Sequence, residues 1–215
     1  MVEGGSREYL APLTQRVADS IRTRMPVSRI MRPPGKPVVV QFTNGLTREF
    51  DEVVIATHSD EALKMLGDPT AHEKTVLGAM PYRDNEVILH TDTRLLPKQQ
   101  RAWSSWNYRL KPGNGRATVT YNMNILQGLD APETFCVTLN DTASINPHRI
   151  LGRFNYAHPQ FTLEGMQAQQ RWADINGHNG TWFCGAYWQN GFHEDGLASG
   201  LRVAESLCSA RQMAA

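Results

Sequence analysis

The closing segment, from Thr181 to Leu207, constrains the fold of this chain more than any other. It predicts an apolar strand over Thr181–Cys184, a loop rich in glycine and aromatic residues, and a helix that begins at His193–Glu194. Four apolar or small residues recur at the spacing of one helix face, namely Leu197, Leu201, Ala204 and Cys208. A glycine turn before a helix N-terminus presents unpaired N–H groups and the positive end of the helix dipole. The segment therefore predicts a place where a phosphate or a developing anion is held.

Length and charge limit the class of protein. The chain has 215 residues, enough for one large domain or two small ones, and 40% of them are hydrophobic. A formal net charge of +1 gives no indication of nucleic acid or of an anionic membrane as partner. No apolar run approaches the ~20 residues that a membrane-spanning helix needs. These observations leave nucleic-acid binding and membrane insertion without support.

The cysteines and the short motifs exclude several kinds of site. Cys136, Cys184 and Cys208 have no CxxC spacing, which predicts reduced, buried thiols in a cytoplasmic protein. There is no HExxH motif and no Cys/His cluster, so no metal site is expected. The chain also has no GxSxG nucleophile elbow and no P-loop.

The first part of the chain predicts mixed α/β structure. A helix with one apolar face is predicted from Tyr9, Leu10, Leu13, Val17 and Ile21. Asn44-Gly45 indicates a hairpin between two of the strands that follow. The predicted strands are Val27–Met31, Val38–Phe42, Leu46–Phe50 and a buried run at Glu52–Thr57. The predicted helices are Asp60–Leu66, capped by Ser59, and Ala71–Ala79.

The middle of the chain changes to strands with alternating patterning, which favours an antiparallel sheet. The strands are predicted at Asn85–Thr91, Ala102–Tyr108, Ala117–Met123, Phe135–Leu139 and Arg149–Tyr156, with a turn at Lys111–Gly115 and a later helix at Leu163–Trp172. We therefore expect an α+β or α/β fold with a mixed, largely antiparallel sheet. Three segments are predicted: residues 1–80, a β-rich insert at 81–160, and a return to the first domain at 161–215.

Seven separated motifs, in order along the chain, are similar to those of one protein family. They are GGSREYLAPL (Gly4–Leu13), DEVVIATHSDEAL (Asp51–Leu63), NEVILHTDTRLLP (Asn85–Pro97), AWSSWNY (Ala102–Tyr108), VTYNMNILQGL (Val119–Leu129), CVTLN (Cys136–Asn140) and FCGAYWQNGFHEDGL (Phe183–Leu197). The chain resembles FAD-dependent oxidoreductases of the amine-oxidase type, in particular a bacterial branch of predicted NAD/FAD-binding proteins. The last motif resembles the segment of that family that contacts the flavin.

The resemblance also implies what this chain lacks. The family carries a GxGxxG fingerprint in its first ~30 residues, and this sequence has none. The chain matches the family from the middle onward, so we expect the C-terminal portion of a flavoprotein whose N-terminal half is absent. Residues 1–80 and 161–215 would then be parts of a Rossmann-like FAD-binding domain, and residues 81–160 the substrate-binding domain.

For the intact protein the resemblance implies substrate oxidation by hydride transfer to flavin N5, with FAD as cofactor. The chain alone is then expected to be inactive, with the missing half as its partner. The alternative is a non-catalytic β-rich domain that binds a ligand or a partner and does not hold FAD by itself. The residues leave open the substrate, the electron acceptor and whether the chain forms a homo-oligomer.

Candidate cofactor-binding residues follow from the family motifs. The backbone at Glu194, Asp195, Gly196 and Leu197 would face the flavin ring and stabilise negative charge there. Gly185 would allow a close backbone approach to the cofactor, Val27 would bind adenine through its backbone, and Ala56 and Thr57 would pass near the cofactor. Each position also has an ordinary structural interpretation, namely a capped helix, a packed turn or a core valine.

Candidate substrate-cavity residues are aromatic. Alternation along a strand places Trp106 and Tyr108 on one face, and the resemblance implies that this sheet lines the substrate cavity together with Tyr121. Tyr187 and Trp188 would form another part of the wall. The alternative for all of them is packing in a core. No catalytic base is identified, because oxidation of a neutral amine by a flavin does not require a strong one.

Overall fold

The structure is a computed structural model that describes residues 4–110 and 118–214. The chain divides into two compact units, each built from two stretches of sequence. The first unit comprises Met1–Gln15 and Asp84–His158, and the second comprises Arg16–Arg83 and Pro159–Ala215. The functional roles predicted for the three sequence segments stay predictions.

The secondary structure is mixed. The strands are β1 (Val27–Met31), β2 (Val38–Phe42), β3 (Thr47–Phe50), β4 (Val53–Ile55), β5 (Tyr82–His90), β6 (Trp106–Arg109), β7 (Thr118–Asn122), β8 (Cys136–Leu139), β9 (Ile150–Pro159) and β10 (Thr181–Phe183). The α-helices are α1 (Leu10–Thr14), α2 (Ser59–Met65), α3 (Ala71–Gly78), α4 (Met123–Gln127), α5 (Leu163–Gln169) and α6 (His193–Ala214). Short 3₁₀ helices occupy Ser6–Tyr9, Gln15–Ser20, Thr93–Leu95, Gln100–Ala102, Thr142–Ser144, Pro147–Arg149, Trp172–Asp174 and Ala186–Trp188. The predicted α/β fold with a largely antiparallel sheet is confirmed.

The second unit contains two small sheets. Strands β1, β2 and β3 form an antiparallel sheet in that order, and Gly45 supplies the positive φ of 84° that the β2–β3 turn requires. Strands β4 and β10 form a parallel pair, with Val53 opposite Thr181 and Ile55 opposite Phe183. Helices α2 and α3 follow β4 along the chain, and α6 follows β10.

A hydrophobic core fills the second unit. Its fully buried members include Ala62 of α2, Val76 and Leu77 of α3, and Phe183 of β10. Burial of side chains of this size contributes ~1.5–3 kcal/mol each, which makes this core the main source of stability for the unit. The core therefore fixes the strand ends from which the loops of the candidate site emerge.

A buried charged cluster closes one part of the second unit. The Arg32 guanidinium binds both carboxylate oxygens of Glu73 and also lies 2.9 Å from Asp68 Oδ1. Glu73 accepts a further hydrogen bond of 2.7 Å from the N–H of Thr70, the N-cap of α3. Because the Arg32 and Glu73 side chains are almost fully buried, each needs the other to offset the cost of desolvation.

The first unit is built on an antiparallel sheet with the strand order β6-β7-β8-β5-β9. Its pairing puts Thr120 beside Thr138 and Thr138 beside Ile88, and all three lie on the buried face. The neighbouring residues point to the opposite face, which carries aromatic and aliphatic side chains. The sheet thus has one covered face, where threonine hydroxyls lie beside Ile88, and one more exposed face that carries aromatic and aliphatic side chains.

Several sequence predictions need correction at the ends of the chain. The predicted N-terminal helix is one short α-helix, α1, followed by a 3₁₀ helix at Gln15–Ser20. A 3₁₀ helix turns by 120° per residue, so the predicted apolar stripe no longer lies on one face. Its members Tyr9, Leu10, Leu13, Val17 and Ile21 are exposed.

Helix α6 buries a different face from the predicted one. Leu197 and Leu201 are 58% and 54% exposed, whereas Asp195, Ser199 and Val203 are buried. Ala204 and Cys208 are exposed as well, so the expectation that every thiol is buried is wrong for Cys208. The face is selected by the hydrogen bonds of Asp195 and Ser199, which apolar spacing does not reveal.

Some strands are shorter than predicted. Strand β4 ends at Ile55, so Ala56 and Thr57 belong to the following loop, and Val54 is half exposed rather than buried. Residues 100–102 form a 3₁₀ turn, and β6 begins at Trp106 instead of Ala102. The predicted turn at Lys111–Gly115 and the strand start at Ala117 lie outside the described residues.

Candidate functional site

Two loops meet at the carboxyl ends of the parallel strands β4 and β10. Ala56 and Thr57 follow β4, and Gly185 follows Cys184 after β10. A Cβ atom on Gly185 would lie 3.5 Å from the Thr57 carbonyl oxygen, so the two loops are in contact distance. Ligands of open α/β sheets bind at the carboxyl ends of the strands. The structure thus brings three of the predicted cofactor-binding residues to such an edge.

Gly185 occupies a position that no other residue can fill without rearrangement. A Cβ atom there would lie 2.5 Å from Cε1 of Tyr187, well inside van der Waals contact. The Gly185 N–H donates a hydrogen bond of 3.0 Å to the hydroxyl of Ser199 on α6. The glycine therefore allows the loop to fold tightly over Tyr187, and Ser199 fixes that loop to the helix.

The N-terminus of α6 is arranged around Asp195. Asp195 Oδ2 accepts a 2.8 Å hydrogen bond from the N–H of Phe192, and the first bond along the helix runs from the Gly196 N–H to the Phe192 carbonyl. The N–H groups of residues 193–195 precede that bond, at the end of the helix where donors are offered to a ligand. Asp195 is buried and turned back onto the preceding turn, whereas Glu194 and Leu197 are exposed.

A cavity of about 550 Å³ lies in the second unit beside β4. Val27, Ala56 and Thr57, all predicted to bind the cofactor, line it together. Most of its other lining residues are apolar, and the two charged ones, Glu61 and Lys64, come from α2. The apolar ones are Pro26, Ile30, Val40, Val53, Val54, Ile55 and Met65. Its size falls within the range of small-molecule and cofactor sites in proteins.

Tyr82 is a residue of this region that sequence reasoning missed. Its ring stacks on His58 with a centroid distance of 4.0 Å and an interplanar angle of 12°. Burial, and then the nearby carboxylates of Asp60 and Glu61, raise the pKa of Tyr82 to about 12. The phenol is therefore neutral near pH 7 and can donate a hydrogen bond. No periodic pattern distinguishes this tyrosine, which opens strand β5.

Tyr187 and Trp188 are packed in the core of the second unit. The Trp188 indole N–H donates to the Phe183 carbonyl at 3.2 Å, and Gln169 Nε2 donates to the Tyr187 carbonyl at 2.9 Å. Burial raises the pKa of the Tyr187 hydroxyl. Their predicted role in a substrate cavity stays a prediction.

The predicted aromatic residues of the first unit share one sheet face. Trp106 lies directly opposite Tyr121 across the β6–β7 pair, and their rings meet edge to face at 5.6 Å. Tyr108 follows on the same side of β6, opposite Val119. Trp106 and Tyr108 are 58% and 62% exposed, so this face presents aromatic rings that a ligand can contact.

The other face of that sheet holds a buried hydrogen-bond chain. The Asp92 N–H donates to Nδ1 of His90, which places the imidazole proton on Nε2, 2.7 Å from the Thr138 hydroxyl. The Thr138 hydroxyl lies 2.8 Å from that of Thr120. Burial lowers the pKa of His90, against the opposing effect of Asp92, so the ring is neutral near pH 7. This chain is a structural part of the sheet that the sequence did not predict.

Within residues 4–110 and 118–214, no group of three or more His, Cys, Asp or Glu side chains could hold a metal ion. In the same residues, no helix is long and apolar enough to cross a membrane.

Comparisons with known proteins identify one family. The family model of flavin-containing amine oxidoreductases matches residues 1–208. No curated protein sequence matches the chain. The structure resembles putrescine oxidase in its complex with putrescine, with a TM-score of 0.62 and 12% identity over 96% of this chain and 53% of that one.

Two other solved structures share the fold. A protein assigned as a protoporphyrinogen oxidase from Exiguobacterium has a TM-score of 0.55 at 15% identity, over 92% of this chain and 50% of that chain. A fatty acid isomerase from P. acnes has a TM-score of 0.53 at 13% identity, over 80% of this chain and 44% of that chain. The chain thus spans about half the length of these solved relatives, and at such identities the likeness concerns the fold alone.

Proposed function

Because the chain belongs to the family of flavin-containing amine oxidoreductases, we propose that it forms part of an FAD-dependent enzyme that oxidises a small molecule. The second unit holds the flavin and the first unit binds the substrate. The observation that carries the proposal is the common location of Val27, Ala56 and Thr57 on one apolar cavity, with Gly185 next to Thr57.

The residues present fit a flavin in three respects. The cavity offers apolar walls for a flat aromatic ring system. A Cβ atom at Gly185 would clash with the Tyr187 ring, so the glycine lets this loop lie close to the carbonyl of Thr57, which lines the cavity. Helix α6, with 22 residues, adds the positive end of its dipole and its first N–H groups.

A flavin held beside Ala56, Thr57 and Gly185 would supply the redox chemistry, as acceptor at N5 of a hydride from a substrate C–H bond, and an external acceptor would take up both electrons. The chain's own residues supply binding, orientation and charge stabilisation. The N–H groups at the start of α6 offer hydrogen bonds to an electronegative edge of the ring. Asp195 is engaged with the Phe192 N–H, so its carboxylate is held by the backbone behind these donors.

On the substrate side, Trp106, Tyr108 and Tyr121 provide an aromatic wall within the first unit. Such a wall excludes water and orients an apolar molecule or an amine by contact with ring faces. We assign no catalytic acid or base, because hydride transfer from a neutral amine does not depend on one.

A titration with FAD tests this proposal. The purified full chain is examined for yellow colour and flavin absorption, and FAD is then added while the quenching of its fluorescence is followed. Saturable binding supports the proposal. A colourless protein that also fails to bind added FAD would contradict the claim that this chain itself holds a flavin, and would favour a non-catalytic binding domain.

A matched pair of variants locates the site. Ala56→Phe fills the mouth of the cavity at an exposed position and should weaken FAD binding at least roughly tenfold, because it occupies the space of the ligand. Ala71→Phe makes the same change at another exposed alanine of the second unit, on α3 and outside the cavity, and should leave the affinity unchanged. Equal affinities for wild type and Ala56→Phe would remove the cavity from the proposed site.

A further inference from the structure

A second cleft, of about 420 Å³, lies in the first unit beside the edge strand β6. It is lined by Arg94, Leu95, Leu96, Pro97, Trp106, Asn107, Tyr108 and Arg109. Two arginines from different parts of the chain, Arg94 and Arg109, thus border the same cleft. Like charges placed together in this way favour an anion between them.

Each arginine is held by a buried carboxylate. Arg94 Nε lies 2.9 Å from Asp92 Oδ1 and its Nη2 2.5 Å from Oδ2, in a bidentate arrangement. Arg109 Nη2 donates to Asp141 Oδ2. The Arg94 hydrogen bonds, together with those from the N–H groups of Asn146 and Arg94, lower the pKa of Asp92, which therefore stays ionised. Both guanidinium groups are pre-oriented before any ligand arrives.

The bonds to Asp92 and Asp141 leave other N–H donors of Arg94 and Arg109 available for a ligand. A guanidinium carries five N–H donors in a planar fork, and one side-on carboxylate engages two of them. The Arg94 and Arg109 side chains are 67% and 40% exposed, although the carboxylates that hold them are almost completely buried. Each arginine can therefore bind an outer carboxylate while its inner one keeps it in place.

Most of the other residues that line the cleft are aliphatic or aromatic, and Asn107 is polar. Leu95 and Leu96 are buried and form one wall with Pro97, while Trp106 and Tyr108 also border the cleft, on the face of β6 opposite to that of Arg109. The Trp103 indole N–H donates to the Pro97 carbonyl at 2.8 Å, which fixes the loop that carries this wall. Such a combination suits a ligand with an anionic end and a hydrocarbon body.

We propose that this cleft binds a carboxylic acid with an apolar chain, held at its carboxylate by Arg94 and Arg109. As a statement about the substrate, the inference rests on the proposed function, and it makes the substrate an acid rather than a simple amine. Binding of such an acid requires no flavin, so it can be measured whatever the outcome of the FAD titration.

Unmodified protein provides the first test. Octanoate, octylamine and inorganic phosphate are titrated separately into the full chain, and binding is followed by calorimetry and by tryptophan fluorescence, which Trp106 should report. Octanoate should bind at least roughly tenfold more tightly than octylamine, because both have eight carbons but only the carboxylate accepts hydrogen bonds from the arginines, whereas the ammonium is repelled by them. Equal binding of octylamine, or of phosphate, would overturn the proposal.

Variants that preserve charge test the two arginines. Arg94→Lys and Arg109→Lys keep a cation beside each buried carboxylate, so the fold should persist, but they remove the planar fork. Each should weaken octanoate binding roughly tenfold. Arg101→Gln removes an exposed cation in the same part of the chain that does not line the cleft, and should change the affinity less than roughly twofold. Unchanged octanoate affinity in both lysine variants would also overturn the proposal. The affinity for FAD should be the same in all three variants as in the wild type.

Discussion

The hydroxyl oxygen of Ser199 accepts a hydrogen bond of 3.0 Å from the backbone N–H of Gly185. This bond joins helix α6 to the loop after β10 inside the second unit, at a position where both residues are largely withdrawn from water. Two of the segments proposed to contact the flavin are thus positioned by a single side chain.

Ser199→Ala should loosen that loop. Removing the acceptor leaves the Gly185 N–H unpaired, which should lower the free energy of unfolding by ~1–3 kcal/mol. Urea denaturation followed by circular dichroism measures the change, and FAD affinity should fall with it. Ser209→Ala is the control, because the Ser209 hydroxyl only donates to the Glu205 carbonyl on the exposed surface of the same helix. Similar losses in the two variants would argue against a special role for Ser199.

Glu73→Gln should destabilise the second unit more strongly. The substitution preserves shape but leaves the buried Arg32 guanidinium with only the half-exposed Asp68 as a charged partner. Breaking a buried ion pair by neutralising one partner costs about 3–5 kcal/mol. Arg171→Gln breaks the exposed pair with Asp174 in the same unit and should cost less than about 1 kcal/mol. The midpoints of urea unfolding of the two variants are compared, and equal losses of stability would show that burial of the Arg32–Glu73 pair does not increase its contribution.

His90 should make the first unit less stable in mild acid. Its folded-state pKa is lowered from 6.5, so the unfolded chain takes up a proton at a higher pH than the folded chain does. Stability is therefore full above the unfolded pKa and falls as the pH drops below it, with a slope of at most ~1.4 kcal/mol per pH unit. Unfolding measured between about pH 5 and pH 8 tests this, and His90→Gln should flatten the profile across that range.

The thiols should differ sharply in reactivity. Burial raises the pKa of Cys136, with help from Asp92, to about 11, and burial also raises the pKa of Cys184. Cys208 is exposed near the end of α6. At about pH 8 a thiol reagent should therefore modify one of the three cysteines in the folded protein and all three after unfolding. Cys208→Ser should abolish the reaction of the folded protein, and rapid modification of that variant would contradict the assignment.

Local patterns in the sequence were sufficient for most elements of the fold. Strands β1 and β2 begin and end where the apolar runs predict, because each is bounded by a proline or a turn. The side of β6 that carries Trp106 and Tyr108 also follows from simple alternation. Val27 lies close to Ala56 and Thr57 only because of the tertiary fold. Local patterns do not predict this proximity, and only the family resemblance assigned the three residues to one site.

Other features depend on specific hydrogen bonds that spacing does not encode. The sequence predicts that Leu197 and Leu201 lie on the buried face of α6. In the structure Asp195 and Ser199 face inward instead, and each makes a hydrogen bond there. Thr120 and Thr138 are polar residues at positions that an apolar core would normally fill, and they are acceptable there because they bond to each other and to His90. The Arg94–Asp92 pairing likewise gave no sequence signal.

The parallel pairing of β4 with β10 has a consequence for how the chain becomes folded. The Glu52 carboxylate and the Trp182 indole N–H, which join beside this pair at 2.8 Å, are 130 positions apart in the sequence. A growing polypeptide must hold β4 without its partner strand until β10 has left the ribosome. Contacts of such long separation form late and slowly, so the edge of β4 is the place where a newly made chain is most exposed to misassociation.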